Sequence, residues 1–344
     1  MDAPSADTRL TELADWLGGV LAPAPFTLAP ASEDASFRRY FRATLAAPHP
    51  LAPDAPTLIA MDAPPPMENC GPFVHVASLL REAGVHAPRV FAQDLDRGFL
   101  LLEDLGSTTY LAVLRDGDAH ALYVDAIDAL VAFQRASREG ELPPYDEALL
   151  RRELDLFPDW YVARHLQRLL TPDQRNALEG VFRRVLANNL AQPRVFVHRD
   201  YHSRNLMVAD PNPGVLDFQD AVYGPVTYDL VSLLRDAYIE WEEEQQIDWA
   251  VRYWERARAA GIAVDADFGS FWRDFEWMGV QRQLKVLGIF ARLCHRDGKS
   301  GFVRDMPLVM RYLRGACGRY RELAPLLVLL DALEDRAPVV GYTF

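Results

Sequence analysis

Val195-Phe-Val-His198-Arg-Asp200-Tyr-His-Ser-Arg-Asn205-Leu-Met-Val208 sets His198, Asp200 and Asn205 between two apolar runs, and Gly214-Val-Leu-Asp217-Phe218 brings Asp217 twelve residues beyond Asn205. The runs read as two short strands, Val195–Val197 and Asn205–Leu216, with the turn Asp210-Pro-Asn-Pro-Gly214 between apolar segments. Such spacing suits phosphoryl transfer from a nucleotide. An acceptor hydroxyl needs a carboxylate that orients it and takes its proton late, and Asp200 is placed for that. Magnesium takes hard oxygen ligands, which the amide of Asn205 and the carboxylate of Asp217 supply. His198 braces the loop through hydrogen bonds. Asn and Asp also satisfy buried turns, but four such residues at strand ends suit a site better.

Outward from this stretch the chain changes texture near residue 105. Before it lie β-type runs at Phe37–Thr44, Thr57–Met61, Val90–Gln93 and Phe99–Glu103. Two helical patterns interrupt them. Leu10, Leu13, Trp16, Leu17 and Val20 follow a Thr8 cap, and Phe73, Val76, Leu79 and Leu80 precede a stop at Gly84. After it, helices are expected at Ala119–Arg138, Asp146–Leu169, Pro172–Leu190, Tyr228–Glu244, Asp248–Ala260, Asp267–His295, Val303–Arg321 and Ala324–Glu334. The outline is α+β: a small β-rich N-terminal lobe, residues 1–104, and a larger helical lobe, residues 105–344, with a polar hairpin embedded in it.

The 344 residues include 36 Lys plus Arg against 49 Asp plus Glu, a formal charge of −13. A field of that sign repels phosphate backbones and anionic lipid, so neither nucleic acid nor membrane is the expected partner. Half of the residues are hydrophobic, which suits a globular chain of about two domains. Three widely spaced cysteines form no disulfide framework or zinc pattern. The start, MDAPSADTRL, has no basic or apolar leader region, and the apolar stretch Leu323–Leu330 is too short to span a membrane, so a soluble cytoplasmic protein is expected, and separately a monomer. Only two lysines occur, Lys285 and Lys299. Any fixed positive charge earlier in the chain must be arginine.

His198-Arg-Asp200-Tyr-His202-Ser-Arg-Asn205, Leu216-Asp217-Phe-Gln-Asp220-Ala-Val-Tyr-Gly224-Pro and Tyr228-Asp229-Leu together resemble the aminoglycoside phosphotransferase and choline kinase superfamily. The resemblance implies a bilobal protein-kinase-like fold with an antiparallel-sheet N-lobe and a mainly helical C-lobe. It also implies ATP and Mg2+ as cofactors, Asp200 as catalytic base, Asn205 and Asp217 as magnesium ligands, and Asp229 as a buried buttress of the loop. Arg199, Ser203 and Arg204 depart from the small or turn-forming residues of many members. Asp229 follows Asp217 by only twelve positions, which leaves no room for a long activation segment and favours a small-molecule kinase.

In that resemblance Ser32–Arg42 occupies the nucleotide-loop position, where Ser36 and adjacent N–H groups meet phosphate oxygens. Arg38 and Arg42 fall on one strand face and Arg39 on the other. The phosphate-binding lysine expected near Met61 is missing; either an arginine of the preceding strand supplies its charge, the reading favoured, or magnesium and backbone alone do. Phe99-Leu-Leu-Leu-Glu103-Asp-Leu105-Gly resembles the inter-lobe hinge, with the backbone of Glu103 and Leu105 facing a purine edge.

SEDASFRRYFR, IAMDAPPP, PFVHVASLLREAGVHAP, DLDRGFLLLEDLG and WMGVQRQLKVLGIFARL further resemble bacterial kinases that phosphorylate the anomeric hydroxyl of N-acetylated amino sugars, over about residues 10–340. This implies an amino-sugar substrate, N-acetylmuramate or N-acetylglucosamine. Trp277 is a candidate to pack the sugar ring, Gln281 and Lys285 share one helix face, and Arg282 or Lys285 suits a lactyl carboxylate. Arg204 and Tyr223 are further candidates. The acidic run Glu240–Glu244 reads as a solvated helix end. Two other readings compete: a kinase of a cationic acceptor, which wants acidic and aromatic walls, and a retired kinase that only binds nucleotide.

Overall fold

The computed structural model describes residues 7–32, 37–65 and 67–336. They fall into two compact units, one of Met1–Tyr110 with Asn205–Asp220, the other of Leu111–Arg204 with Ala221–Phe344. In the first, helix α1 (Thr8–Val20) starts one residue earlier than its expected Thr8 cap: the Asp7 carboxylate accepts the Leu10 N–H at 3.1 Å. Strands β1 (Phe26–Ser32), β2 (Arg39–Leu45) and β3 (Thr57–Asp62) follow, then helix α2 (Gly71–Glu82), β4 (Val90–Asp94) and β5 (Phe99–Glu103). The strands form one antiparallel sheet in the order β1-β2-β3-β5-β4. Leu13 and Leu17 of α1 pack on Phe41, Ala43, Leu58, Ala60, Phe99 and Leu101, every second residue of three strands. The buried Asp62 carboxylate accepts from both Arg9 and Arg39, which ties α1 to the end of β3, the central strand of the sheet.

After the single turn α3 (Tyr110–Val113) the chain runs through α4 (Ala119–Arg135), α5 (Glu147–Leu156), a π-helical segment (Phe157–His165) and α6 (Pro172–Ala191). Next come β6 (Arg194–Val197), β7 (Leu206–Met207), β8 (Gly214–Val215), β9 (Val222–Pro225) and α7 (Tyr228–Leu234). The last helices are α8 (Glu243–Ala259), α9 (Phe268–His295), α10 (Met306–Arg319) and α11 (Ala324–Leu333). Strand β6 pairs with β9 and β7 with β8, so the embedded polar stretch makes two separate ladders. The β7-β8 hairpin packs with the first unit because Gly214 bridges His86, Met207 bridges Thr109, and the Val215 N–H donates to the His86 carbonyl at 2.8 Å. By packing, residues 205–220 therefore join the sheet unit, whereas the sequence alone draws one boundary at 104/105.

Three helix expectations are corrected. The stretch Asp146–Leu169 is α-helical only to Leu156. Pro158 lacks an amide donor, and the following turns widen into π geometry. The helix expected over Tyr228–Glu244 ends at Leu234, since the Asp236 carboxylate accepts the Tyr238 N–H at 3.1 Å and Ser203 N–H at 2.9 Å, a local bonding scheme that competes with helix. Val303 begins no α-helix: Ser300–Asp305 is a 3₁₀ turn, and α10 starts at Met306. The long buried helix α9 crosses the α5 terminus at Gly288, where an added Cβ would lie 2.5 Å from Leu156 C and Cβ. Gly288→Ala is expected to lower stability by about 1–3 kcal/mol through overpacking, read as a reduced urea midpoint at constant slope. An unchanged midpoint would contradict this tight crossing.

Candidate active site

In the second unit, β6 delivers its chain into the loop that carries Asp200. The Phe196 N–H donates to Ser137 Oγ at 2.6 Å, and the next two amides past the strand, His198 and Arg199, donate to Asp229 Oδ2 and Oδ1 at 2.6 and 2.9 Å. Asp229 stands at the first turn of α7, fully buried. Burial pushes its carboxyl up to about 7, while the two main-chain donors pull the other way. The buried His198 ring accepts the Asp200 N–H on Nδ1 at 3.3 Å and meets Tyr201 edge-on. Downstream, Ser203 donates N–H and hydroxyl to Asp236 at 2.9 and 2.5 Å. Arg199 has a φ of +79°, a sparsely populated conformation for a side-chain-bearing residue.

Asp200 itself is partly exposed. Burial opposes its ionisation, yet the charges of Lys285, Arg199 and Arg282 outweigh it and hold the carboxyl below its ordinary value. It is a carboxylate at neutral pH. Burial keeps the neighbouring His202 neutral there, and its Nδ1 is buried with no hydrogen-bond partner among the described residues.

Asn205 and Asp217 stand together in the first unit, where the β7-β8 hairpin brings its two ends side by side. The Leu216 N–H donates to the Asn205 carbonyl at 2.9 Å, and Asn205 Nδ2 to Asp217 Oδ2 at 3.3 Å. Asp217 has a φ of +63°, its Oδ1 accepts from Gln219 Nε2 at 2.8 Å, and the following Phe218 ring is fully buried against Phe73. Among the described residues no cluster of three or more His, Cys, Asp or Glu is arranged for a metal. One amide oxygen and one carboxylate nevertheless fit Mg2+, which keeps waters and draws further oxygens from substrate phosphates.

The arginines of the β2 region diverge. Arg38 Nη2 lies 3.8 Å from Asp217 Oδ1, with its Nε 4.0 Å from Glu68. Arg42 grips Asp104 at 2.6 and 3.0 Å and the Gly106 carbonyl at 3.1 Å, so its fork secures the segment after β5. Arg39 turns to Asp62 and Asp7. Met61 is fully buried. Glu103 ends β5 with its carboxylate on the Arg89 N–H and near His86, while Leu105 is buried. Ser36 lies outside the described residues.

Gln281, Arg282 and Lys285 are all buried on α9, but they are not equivalent. Lys285 Nζ donates to the Tyr228 hydroxyl at 2.8 Å and pairs with Glu153 at 3.2 Å, and Gln281 Nε2 donates to Glu153 at 3.0 Å. Both are held inside the helical unit. Arg282 makes no hydrogen bond or ion pair among the described residues, although its charge acts on Asp200, His202 and Asp229. Arg204 lies 3.7 Å over the Tyr238 ring, with Phe302 at 5.8 Å and the His202 ring also edge-on to Tyr238. Trp277 packs on Tyr320 beneath Arg273, and Tyr223 on Phe196 beside Arg194. Sequence reasoning overlooked Glu153. Its one signal is a carboxylate set among Leu150, Leu154 and Phe157, an otherwise apolar helical stripe.

The phosphotransferase enzyme family profile matches residues 27–268. The chain is 51% identical over 343 residues to an N-acetylmuramate/N-acetylglucosamine kinase of Pseudomonas aeruginosa, covering 97% of this chain and 99% of the relative. It is 49% identical over 341 residues to the protein of that name from Neisseria meningitidis, covering 98% and 99%. Among solved structures, it superposes on a choline/ethanolamine kinase family protein of Mesorhizobium loti with a TM-score of 0.57 at 15% identity, covering 93% of this chain and 99% of the other. A choline kinase of Cryptosporidium parvum gives 0.59 at 10% identity, covering 93% and 99%. At those identities the structural likeness speaks to the fold alone. With a small antiparallel-sheet unit, a larger mainly helical unit and a profile match over most of its length, the chain belongs to the phosphotransferase enzyme family.

Proposed function

We propose that this phosphotransferase moves the γ-phosphoryl group of ATP to the anomeric hydroxyl of N-acetylmuramate and N-acetylglucosamine, giving the α-1-phosphate, in the cytoplasm. The observation that carries the reading is identity near one half, over almost the full length of both chains, to kinases named for those two sugars. No helix among the described residues is long and apolar enough to cross a membrane.

Asp200, ionised among positive groups, would accept the hydrogen bond of the sugar hydroxyl and take its proton as the new P–O bond forms. Asn205 and Asp217 would hold Mg2+, which supplies charge neutralisation at the phosphates. Arg38 has the geometry to stand in for the missing lysine, because its guanidinium already faces Asp217 while Arg39 and Arg42 are engaged elsewhere. Glu103 and Leu105 would present their backbone to the adenine edge. Arg282 offers an uncommitted, desolvated fork to the lactyl carboxylate of N-acetylmuramate, and His202 Nδ1 offers a polar contact for the ring substituents. The same arginine disfavours a cationic acceptor.

Phosphate transfer from ATP to N-acetylmuramate, N-acetylglucosamine, kanamycin and choline, measured in parallel, is expected to show turnover with the two sugars. Turnover with the cations alone would reject the assignment. Arg282→Met is expected to raise KM for N-acetylmuramate by about 10- to 100-fold, the loss of a charge-assisted hydrogen bond, with a much smaller effect on N-acetylglucosamine. Equal effects on both sugars would remove Arg282 from carboxylate recognition.

A further inference from the structure

The buried Glu153 carboxylate collects four donors from three parts of the helical unit. Oε1 accepts from Arg199 Nη2 at 2.6 Å and pairs with Lys285 Nζ at 3.2 Å, and Oε2 accepts from Gln281 Nε2 at 3.0 Å and from the Tyr145 hydroxyl. Tyr145 reaches it because β9 has a glycine at 224, where an added Cβ would lie 2.5 Å from Tyr145 Cβ. One of the two cations, Arg199, directly precedes Asp200 and sits in the left-handed conformation. Its N–H is held by Asp229 and its guanidinium by Glu153, so backbone and side chain are fixed from opposite ends. The other, Lys285, spends its hydrogen bonds on Glu153 and Tyr228 while its charge still favours the ionised form of Asp200.

A buried charge takes the nearest available counter-charge. Without Glu153, two desolvated cations would be left with the other carboxylates of the unit, among them Asp200, whose ionised form they already favour, and a lysine bonded directly to it would compete with the substrate hydroxyl for a carboxylate oxygen. We propose that Glu153 is a positioning residue for phosphoryl transfer: it fixes Arg199 so that Asp200 is aimed, and it holds Lys285 from closing onto Asp200. The proposal rests on Asp200 being the base, and no established part of the reaction assigns Glu153 a role.

The test compares kcat and both KM values for wild type, Glu153→Gln, Lys285→Met and the double variant, with thermal melting of each. Glu153→Gln keeps size and loses charge. Its kcat is expected to fall about tenfold or more, in line with a misaimed catalytic group, with KM for ATP and for N-acetylglucosamine within about threefold. The double variant is expected to be faster than Glu153→Gln, since the lysine that would quench Asp200 is gone. A structural prop alone would give a recovery of kcat only in step with a recovery of melting temperature, whereas the positioning role gives it at equal melting temperature. Wild-type kcat in Glu153→Gln, a loss confined to KM, or a double variant no faster than Glu153→Gln would each overturn the proposal.

Should Glu153→Gln not fold, Arg199→Lys is compared with Arg199→Met: the lysine form, still charged toward Glu153, is expected to retain most of the kcat that the methionine form loses. Equal loss overturns the proposal. Asp200→Asn run beside these variants separates the two readings, because full activity in that variant removes Asp200 as base whatever Glu153 does.

Discussion

The paired main-chain bonds from His198 and Arg199 to the buried Asp229 carboxylate decide where the following residue, Asp200, points. Two consecutive amides on the two oxygens of one carboxylate form a fixed fork at 2.6 and 2.9 Å, and the Arg199 backbone adopts its left-handed conformation within it. The positive groups near Asp200 then meet one electrostatic requirement: a carboxylate partly shielded from water must still be charged. Lys285, Arg199 and Arg282 meet that requirement as a group, and His202 stays neutral among them.

The chain meets its needs for fixed charge almost entirely with arginine. A guanidinium binds two oxygens in one plane, and its uses here follow from that geometry. Arg42 takes both oxygens of Asp104 and the Gly106 carbonyl, which stiffens the end of β5. Arg39 and Arg9 share the buried Asp62 and fasten α1 to β3. Arg38 is left facing Asp217, and Arg282 is left with no acceptor among the described residues. One of the two lysines in the chain, Lys285, is the compact charge that reaches both Tyr228 and Glu153 at the centre of the helical unit.

Local signals made much of this legible. Asp200, Asn205 and Asp217 stood out as candidates because phosphoryl chemistry would need those atoms at strand ends, and α9 and α6 stood out because long apolar periodicity and capping residues agree. What escaped was set by tertiary partners. Strand β1 contains Pro30, which reads as a strand breaker yet is tolerated because β1 is an edge that pairs only with β2. The stretch past Leu234 has helical spacing, but Asp236 finds better partners in Ser203 and Tyr238. Glu153 looks like a surface acid until four donors converge on it. Arg42 shares a strand face with Arg38, but it bonds to an acid 62 positions away.

In the proposed reaction Asp200 removes a proton from an anomeric hydroxyl while ATP is held by other groups. Phosphorus NMR of the reaction of ATP with N-acetylglucosamine, run with wild type and Asp200→Asn alongside nucleotide-binding calorimetry, tests it most directly. Wild type is expected to give ADP and a phosphomonoester on the anomeric carbon, with kcat lower by about 10²–10⁴-fold in the variant and ATP affinity little changed. An ester at any other carbon, or an Asp200→Asn enzyme that keeps wild-type turnover, would contradict it.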